Sequence, residues 1–154
     1  MTFQQIFRPQ NIVFRMESED KDEAFEELVQ CAVSSNSGID REEVLAGLRR
    51  REAQMSTGIA RGIAVPHTYC SGVGGVLGVI GISRSGIDYD ALDGEPVNII
   101  FMLLSAPGNT EQHLQSLSML ARIMRAPDFF DTVLSQESPK SVFDALCAME
   151  APAL

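Results

Sequence analysis

The sequence has no tryptophan, two tyrosines, two histidines and three cysteines, and its positive charge is nearly all arginine, ten residues against two lysines. Cys31, Cys70 and Cys147 are odd in number, widely spaced and without a CxxC pair, which argues against a disulfide framework and fits a reducing compartment. The best seed for zinc, His67-Thr68-Tyr69-Cys70, has no second cluster except the distant His113, so no closed four-ligand metal site is expected. No apolar stretch approaches the roughly 20 residues of a membrane span. The longest, Val97–Ser105, suits a buried strand. The first residues lack a basic segment followed by an apolar core, so no secretory signal is expected and a cytoplasmic location is the default expectation. A Walker A loop, a dinucleotide fingerprint and a Gly-x-Ser-x-Gly elbow are all absent, which disfavours ATP, NAD and serine-hydrolase sites. No repeat, low-complexity tract or linker is seen.

What is present is a chain of 154 residues with 45% hydrophobic and 21% charged residues, enough for one domain (1–154) with its own core. The formal net charge of -9 repels phosphate backbones, so no nucleic-acid partner is expected. The acid is densest over residues 17–27, where it reads as a solvated helix start favoured by the positive end of the dipole. Arg49-Arg50-Arg51 stand together and read either as an anion site or as a solvated helix C-terminus.

Residues 11–16 look like a first strand. Asp20 caps a helix with Ala24, Phe25, Leu28, Val29 and Ala32 on one face. Asp40, with Glu43 three residues later, opens a second helix that ends in the arginine run. A glycine-bearing loop then leads to a strand over 62–65, which Pro66 stops, presenting His67. Strands are expected over 76–82 and 98–104, separated by a turn-rich segment over 84–94. Asn109 or Thr110 starts a helix carrying Leu114, Leu117, Leu120, Ala121 and Met124. A short helix over 127–134 follows, and Ser138-Pro139 start the last one. The pattern predicts an α/β fold, a small mixed β-sheet flanked by helices.

The chemistry concentrates at the two histidines. A neutral imidazole is a nucleophile near neutral pH, and His67 follows an apolar strand, although a histidine there can also merely cap a carbonyl. His113 falls in the first turn of its helix, where free backbone N–H groups favour an anion; an exposed first-turn residue is the plainer alternative. Both lie at the C-terminal side of an apolar strand, where open α/β sheets bind ligands. Arg51 can fork two donors onto a phosphoryl group. Ser56 and Thr57 offer hydroxyls, and Gly58 and Gly62 let backbone amides approach an anion.

At these residues the sequence resembles a known family. Arg51-Glu52, Ser56-Thr57-Gly58-Ile59, Gly62-Ile63-Ala64-Val65-Pro66-His67, Gly86-Ile87-Asp88-Tyr89, Leu92-Asp93-Gly94, Pro96-Val97 and His113-Leu114-Gln115-Ser116-Leu117 occur in the order and spacing of the IIA domain of the phosphoenolpyruvate-dependent sugar phosphotransferase system (PTS). The class is that of fructose and mannitol, which includes the nitrogen-regulatory IIA proteins, and the resemblance covers about residues 19–149. It implies a phosphotransferase relay without cofactor or metal. His67 would take a phosphoryl group from the phosphocarrier HPr and pass it to a IIB component, with His113 and Arg51 beside it and Ser56, Thr57 and Gly58 bordering the phosphate. It also implies an alternative in which the phosphorylation state of His67 switches contacts with regulated proteins, and at most a peripheral association with a membrane IIC component. Two positions depart from the family pattern: Ala60 stands where glycine is frequent, and Thr68 where a small residue is common.

Overall fold

The computed structural model describes residues 2–150, apart from the Ala60 side chain. The apolar run predicted as a buried strand is strand β6, Val97–Ser105, and the sheet is built around it. Its residues alternate between two cores, as the two-residue period of a strand requires. Ile100, Met102 and Leu104 face one core, and Ile99, Phe101 and Leu103 the other. The first core is closed by helices α2 (Lys21–Ser35) and α3 (Arg41–Gln54), through Phe25, Leu28, Val44 and Leu48. The second is closed by α1 (Phe3–Ile6), α4 (Thr110–Ile123), α5 (Phe129–Leu134) and α6 (Pro139–Met149). The predicted caps form: Asp20 accepts from the Glu23 N–H, Asp40 from Glu42 and Glu43, and Ser138 from Ser141.

The sheet is mixed. Strand β1 (Ile12–Val13) runs parallel to β5 (Val76–Ile87), and β5 is antiparallel to β6. On its other side β6 pairs in parallel with two short strands, first β3 (Ile63–Ala64) and then β4 (His67–Tyr69). Strand β2 (Gly58–Ala60) closes the edge as a hairpin with β3. The hairpin turn is Arg61-Gly62, with φ of 53° and 82°, the left-handed pair that a two-residue type I′ turn needs.

Several expectations are corrected. Strand β3 ends at Ala64, just before Pro66 as expected, but the chain does not leave the sheet there. Pro66 has no N–H to give, but its carbonyl still accepts from Leu103 N at 3.0 Å, so pairing resumes at once with His67 opposite Leu103. The arginine run does not end its helix, which continues to Gln54. The first strand shrinks to Ile12–Val13, β5 runs on through Ile87 into the segment read as turns, and part of the glycine-bearing loop is β2. Leu114, placed on the apolar stripe of α4, is exposed; the buried stripe there is His113, Ser116, Met119, Leu120 and Ile123.

Candidate functional site

The site lies where β4 runs between α3 and α4. His67 and Tyr69 project from the same face of β4, two residues apart. Their rings stand against the ring of His113, with centroids 5.2 Å and 4.7 Å away. Thr68 projects to the other face, where α3 passes directly over it at Gly47. A Cβ on Gly47 would collide with the Thr68 side chain, so only glycine allows this approach. Arg51 is one helical turn beyond Gly47 on the same helix face, which is how the close contact delivers its guanidinium to the His67 end of β4.

Arg51, Ser56, Thr57 and His67 line one depression of about 250 Å³. Its remaining wall is largely hydrocarbon, from Met55, Ile59, Leu92, Leu117 and Met124. The Arg51 guanidinium donates to the Met55 carbonyl at 2.8 Å and has no carboxylate within ion-pair distance among the described residues. Its other donors remain available to an anion.

His67 is half-buried. Its Nδ1 lies 2.8 Å from the Val65 carbonyl. A carbonyl only accepts, so Nδ1 carries the ring proton and Nε2 keeps its lone pair. The capping role weighed as the plainer reading of this histidine is therefore real, and it is what frees the second nitrogen. Burial lowers the His67 pKa from its ordinary 6.5. The Val65 carbonyl and Glu52 work against burial, and Arg51 works with it. The ring is thus neutral at pH 7. His113 is only 4% exposed, and burial followed by the nearby His67 pushes its pKa down to about 4. Its Nδ1 lies 2.6 Å from the buried Ser105 hydroxyl.

The polar loop is braced from behind. Thr57 is 3% exposed, its hydroxyl bonds Glu52 and, at 2.8 Å, the Tyr89 hydroxyl, and its N–H donates to the same carboxylate at 3.1 Å. Lys21 completes the cluster with an ion pair to Glu52 at 3.0 Å. The buried Tyr89 phenol is held protonated, its pKa raised by burial and by Glu52. Ser56 Oγ accepts from Gly58 N at 3.1 Å, and Gly58 lies behind the depression, packed on Tyr89 and Ala91. Of the residues singled out from the sequence, Arg51, Ser56, Thr57 and His67 share the depression and His113 flanks it, while Gly58 supports the loop from behind.

Sequence reasoning allowed for a carbonyl at His67 without saying which, and missed Ser105, Tyr69 and the bracing by Glu52. Ser105 had a signal, a hydroxyl closing an apolar strand eight residues before His113. That the carbonyl is Val65's had none, because a backbone acceptor leaves no trace in residue type.

Comparison with known proteins shows which family the chain belongs to. Residues 5–148 match the family model described as phosphoenolpyruvate-dependent sugar phosphotransferase system, EIIA 2. A fructose-specific PTS EIIA component of Haloferax volcanii is 36% identical over 82% of this chain and 82% of its own length. The fructose-specific EIIABC component of Bacillus subtilis is 30% identical over 95% of this chain, which spans only 23% of that larger protein. Among solved structures, the nitrogen regulatory protein IIA-Ntr of Neisseria meningitidis superposes with a TM-score of 0.82 at 30% identity, covering 92% of this chain and 97% of that one. With a family model spanning nearly all of its described residues and a fold shared with a solved relative, the chain belongs to the type 2 EIIA family of the phosphoenolpyruvate-dependent sugar phosphotransferase system.

Proposed function

We propose that this protein relays a phosphoryl group through His67, taking it from an HPr-like phosphocarrier and passing it to a IIB component. The observation that carries this reading is the fixed tautomer of His67. The Val65 carbonyl claims Nδ1–H, which leaves the Nε2 lone pair free, and His67 lines a depression that holds a guanidinium with no carboxylate partner among the described residues. In the forward step Nε2 attacks the phosphorus and the P–N bond to the donor histidine breaks, leaving the donor imidazole neutral. Nδ1 keeps its proton, and the positive charge that the ring gains on phosphorylation is shared with the Val65 carbonyl. Arg51 neutralises the transferring oxygens. When the Ser105 hydroxyl donates to His113 Nδ1, the His113 proton sits on Nε2, where it serves as a donor to a phosphoryl oxygen. No metal or nucleotide is required for this arrangement to work.

The surroundings suit a macromolecular donor and acceptor. Met55, Ile59, Tyr69, Leu92 and Leu114 are the large hydrophobic side chains that stand exposed among the described residues. Met55, Ile59 and Leu92 line the His67 depression, Tyr69 packs its ring at a tilt against His113, and Leu114 follows His113 in the chain. Such an apolar rim marks a docking face. The same rim supports the second reading, in which the phosphate on His67 decides which regulated protein docks there. The nitrogen regulatory neighbour at 30% identity favours keeping that reading.

The test is intact-mass analysis after incubation with phosphoenolpyruvate, enzyme I and HPr. One acid-labile phosphate on the wild type and none on His67→Ala is the expected result. No phosphate on the wild type, with an HPr shown to be active, would sink the relay. Onward transfer to a purified IIB then separates relay from switch.

A further inference from the structure

A buried imidazole needs partners for its ring nitrogens. His113 finds one in the sheet beneath α4. Strand β4 pairs with β6 in a register that sets His67 opposite Leu103, Thr68 opposite Leu104 and Tyr69 opposite Ser105. The two-residue period puts His67, Tyr69, Leu103 and Ser105 on one face, the one that α4 covers. Tyr69 and Ser105 are thus a cross-strand pair, and His113 stands against both.

The surroundings of Ser105 fix which way its hydrogen bond runs. Its side chain is buried, and His113 Nδ1, 2.6 Å away, is the one hydrogen-bond partner of its hydroxyl among the described residues. If Nδ1 carried the ring proton and donated it, the hydroxyl hydrogen would be buried without an acceptor, an arrangement that folded proteins avoid. With Ser105 donating, both groups are satisfied and the His113 proton sits on Nε2. His67 is the opposite case, because the Val65 carbonyl can only accept and keeps the proton on Nδ1. Two side chains of one type, with ring centroids 5.2 Å apart, thus carry their protons on different nitrogens. Tyr69 supplies the outer wall. Its ring centroid is 4.7 Å from that of His113, with 35° between the planes, and it is 40% exposed where His113 is 4% exposed. The tyrosine meets water at one end and covers the imidazole with the other.

We propose that Ser105 and Tyr69 are positioning residues of the His67 site: Ser105 anchors the His113 ring by its Nδ1, and Tyr69 covers the ring, so that Nε2–H is the group His113 has to offer. Neither touches the transferring group. A histidine held this way has no free lone pair with which to compete as an acceptor, since Ser105 takes one nitrogen and the proton occupies the other. The cross-strand pair therefore leaves the part of nucleophile to His67 and the part of donor to His113. Its effect on transfer rests on the relay through His67, whereas the anchoring of the ring does not.

The test starts from the imidazole nitrogen NMR signals of the full chain at pH 7, read through long-range proton–nitrogen couplings. The expected result is a protonated Nε2 on His113 and a protonated Nδ1 on His67. Ser105→Ala, checked for an unchanged amide spectrum elsewhere, is expected to move the His113 Nδ1 signal toward that of an unbonded nitrogen. It is also expected to slow single-turnover transfer from phospho-HPr about tenfold. Ser105→Thr, which keeps the hydroxyl, is expected to restore both. Tyr69→Phe keeps the wall and should transfer within about twofold of the wild type, whereas Tyr69→Ser should be about tenfold slower even at saturating phospho-HPr. The proposal is overturned by a proton on His113 Nδ1, by wild-type signals and rate in Ser105→Ala, or by a Tyr69→Ser variant in which only KM rises, the mark of a docking contact. If the wild type takes no phosphate from an active HPr, the relay falls, and the nitrogen signals still decide whether His113 is anchored.

Discussion

The two depressions hold the same cation in opposite surroundings. At His67 a guanidinium with no carboxylate partner sits among methionine, isoleucine and leucine side chains, on a rim of exposed hydrocarbon. In a second depression, of about 620 Å³ between the N-terminal segment and the first turns of α4, the Arg8 guanidinium sits among the carboxamides of Gln5, Gln10, Asn11, Asn36, Gln112 and Gln115. The difference follows from what each must exclude. In the proposed relay, a charged phosphoryl group in transit is held best where water is kept out and fixed donors replace it, and hydrocarbon from both docked surfaces would do that. At Arg8 the exposed glutamines leave the guanidinium to water. An arginine alone therefore predicts little; the side chains around it decide what it holds.

The strongest way to break this comparison is Arg51→Ala. It is expected to slow phosphoryl transfer from HPr about 100-fold, read as the single-turnover rate by phosphoprotein gel or mass. A rate within twofold of wild type would show that the guanidinium is not used at His67. Next in size is Gly47→Ala, which pushes α3 away from Thr68 and is expected to cost about 1–3 kcal/mol in urea unfolding. Because Arg51 rides on that helix, transfer should fall as well. Ile59→Ser combined with Leu92→Ser sharpens the docking side. The apparent KM for phospho-HPr should rise about tenfold while the turnover at saturation stays within a factor of about two.

A smaller effect comes from pH. His113 has a folded pKa of about 4 against an ordinary 6.5. Between those values the unfolded chain binds more protons than the folded one, so stability is complete above about pH 6.5 and declines as the pH falls toward 4. The lowered His67 pKa adds to the decline in the same direction. His113→Gln should flatten part of this slope in urea midpoints measured from pH 7.5 to 4.5; an unchanged slope would remove His113 from the account. The smallest effect belongs to the other depression. Asn11→Leu deletes Oδ1, a buried acceptor without a partner among the described residues, and should leave stability unchanged or raise it by about 1 kcal/mol. A clear loss of stability would mean that the carboxamide has a structural partner after all.

Much of this was legible before the fold was seen. Asp20, Asp40 and Ser138 marked helix starts because a cap is a local interaction between residues two or three apart. The unbroken apolar run of β6 announced a strand covered on both faces. The family pattern pointed to His67, His113 and Arg51 as a group, and the folded chain brings them to one place. What escaped was non-local or too short. Strand β4 is three residues long and exists only because β6 offers it a ladder, and Pro66 disguised it as an ending. Helix α1 has four residues, too few to show a period. Leu114 fits the helical stripe, but α4 turns its His113 face inward, which leaves Leu114 outside on the docking rim.

The pairing of His67 with Leu103 also sets a clock. The backbone on each side of the imidazole is tied to the central strand, by the Pro66 carbonyl on Leu103 N–H and by Cys70 N–H on the Ser105 carbonyl. Amide protons along β4 should therefore exchange only through openings of the central sheet, which are rare in the native ensemble, and not through loop fluctuation. In the proposed relay, the acceptor nitrogen is then a stationary target during an encounter lasting micro- to milliseconds. The time needed for a productive collision is then set by how fast a partner finds its orientation on the rim, and not by any rearrangement of this protein.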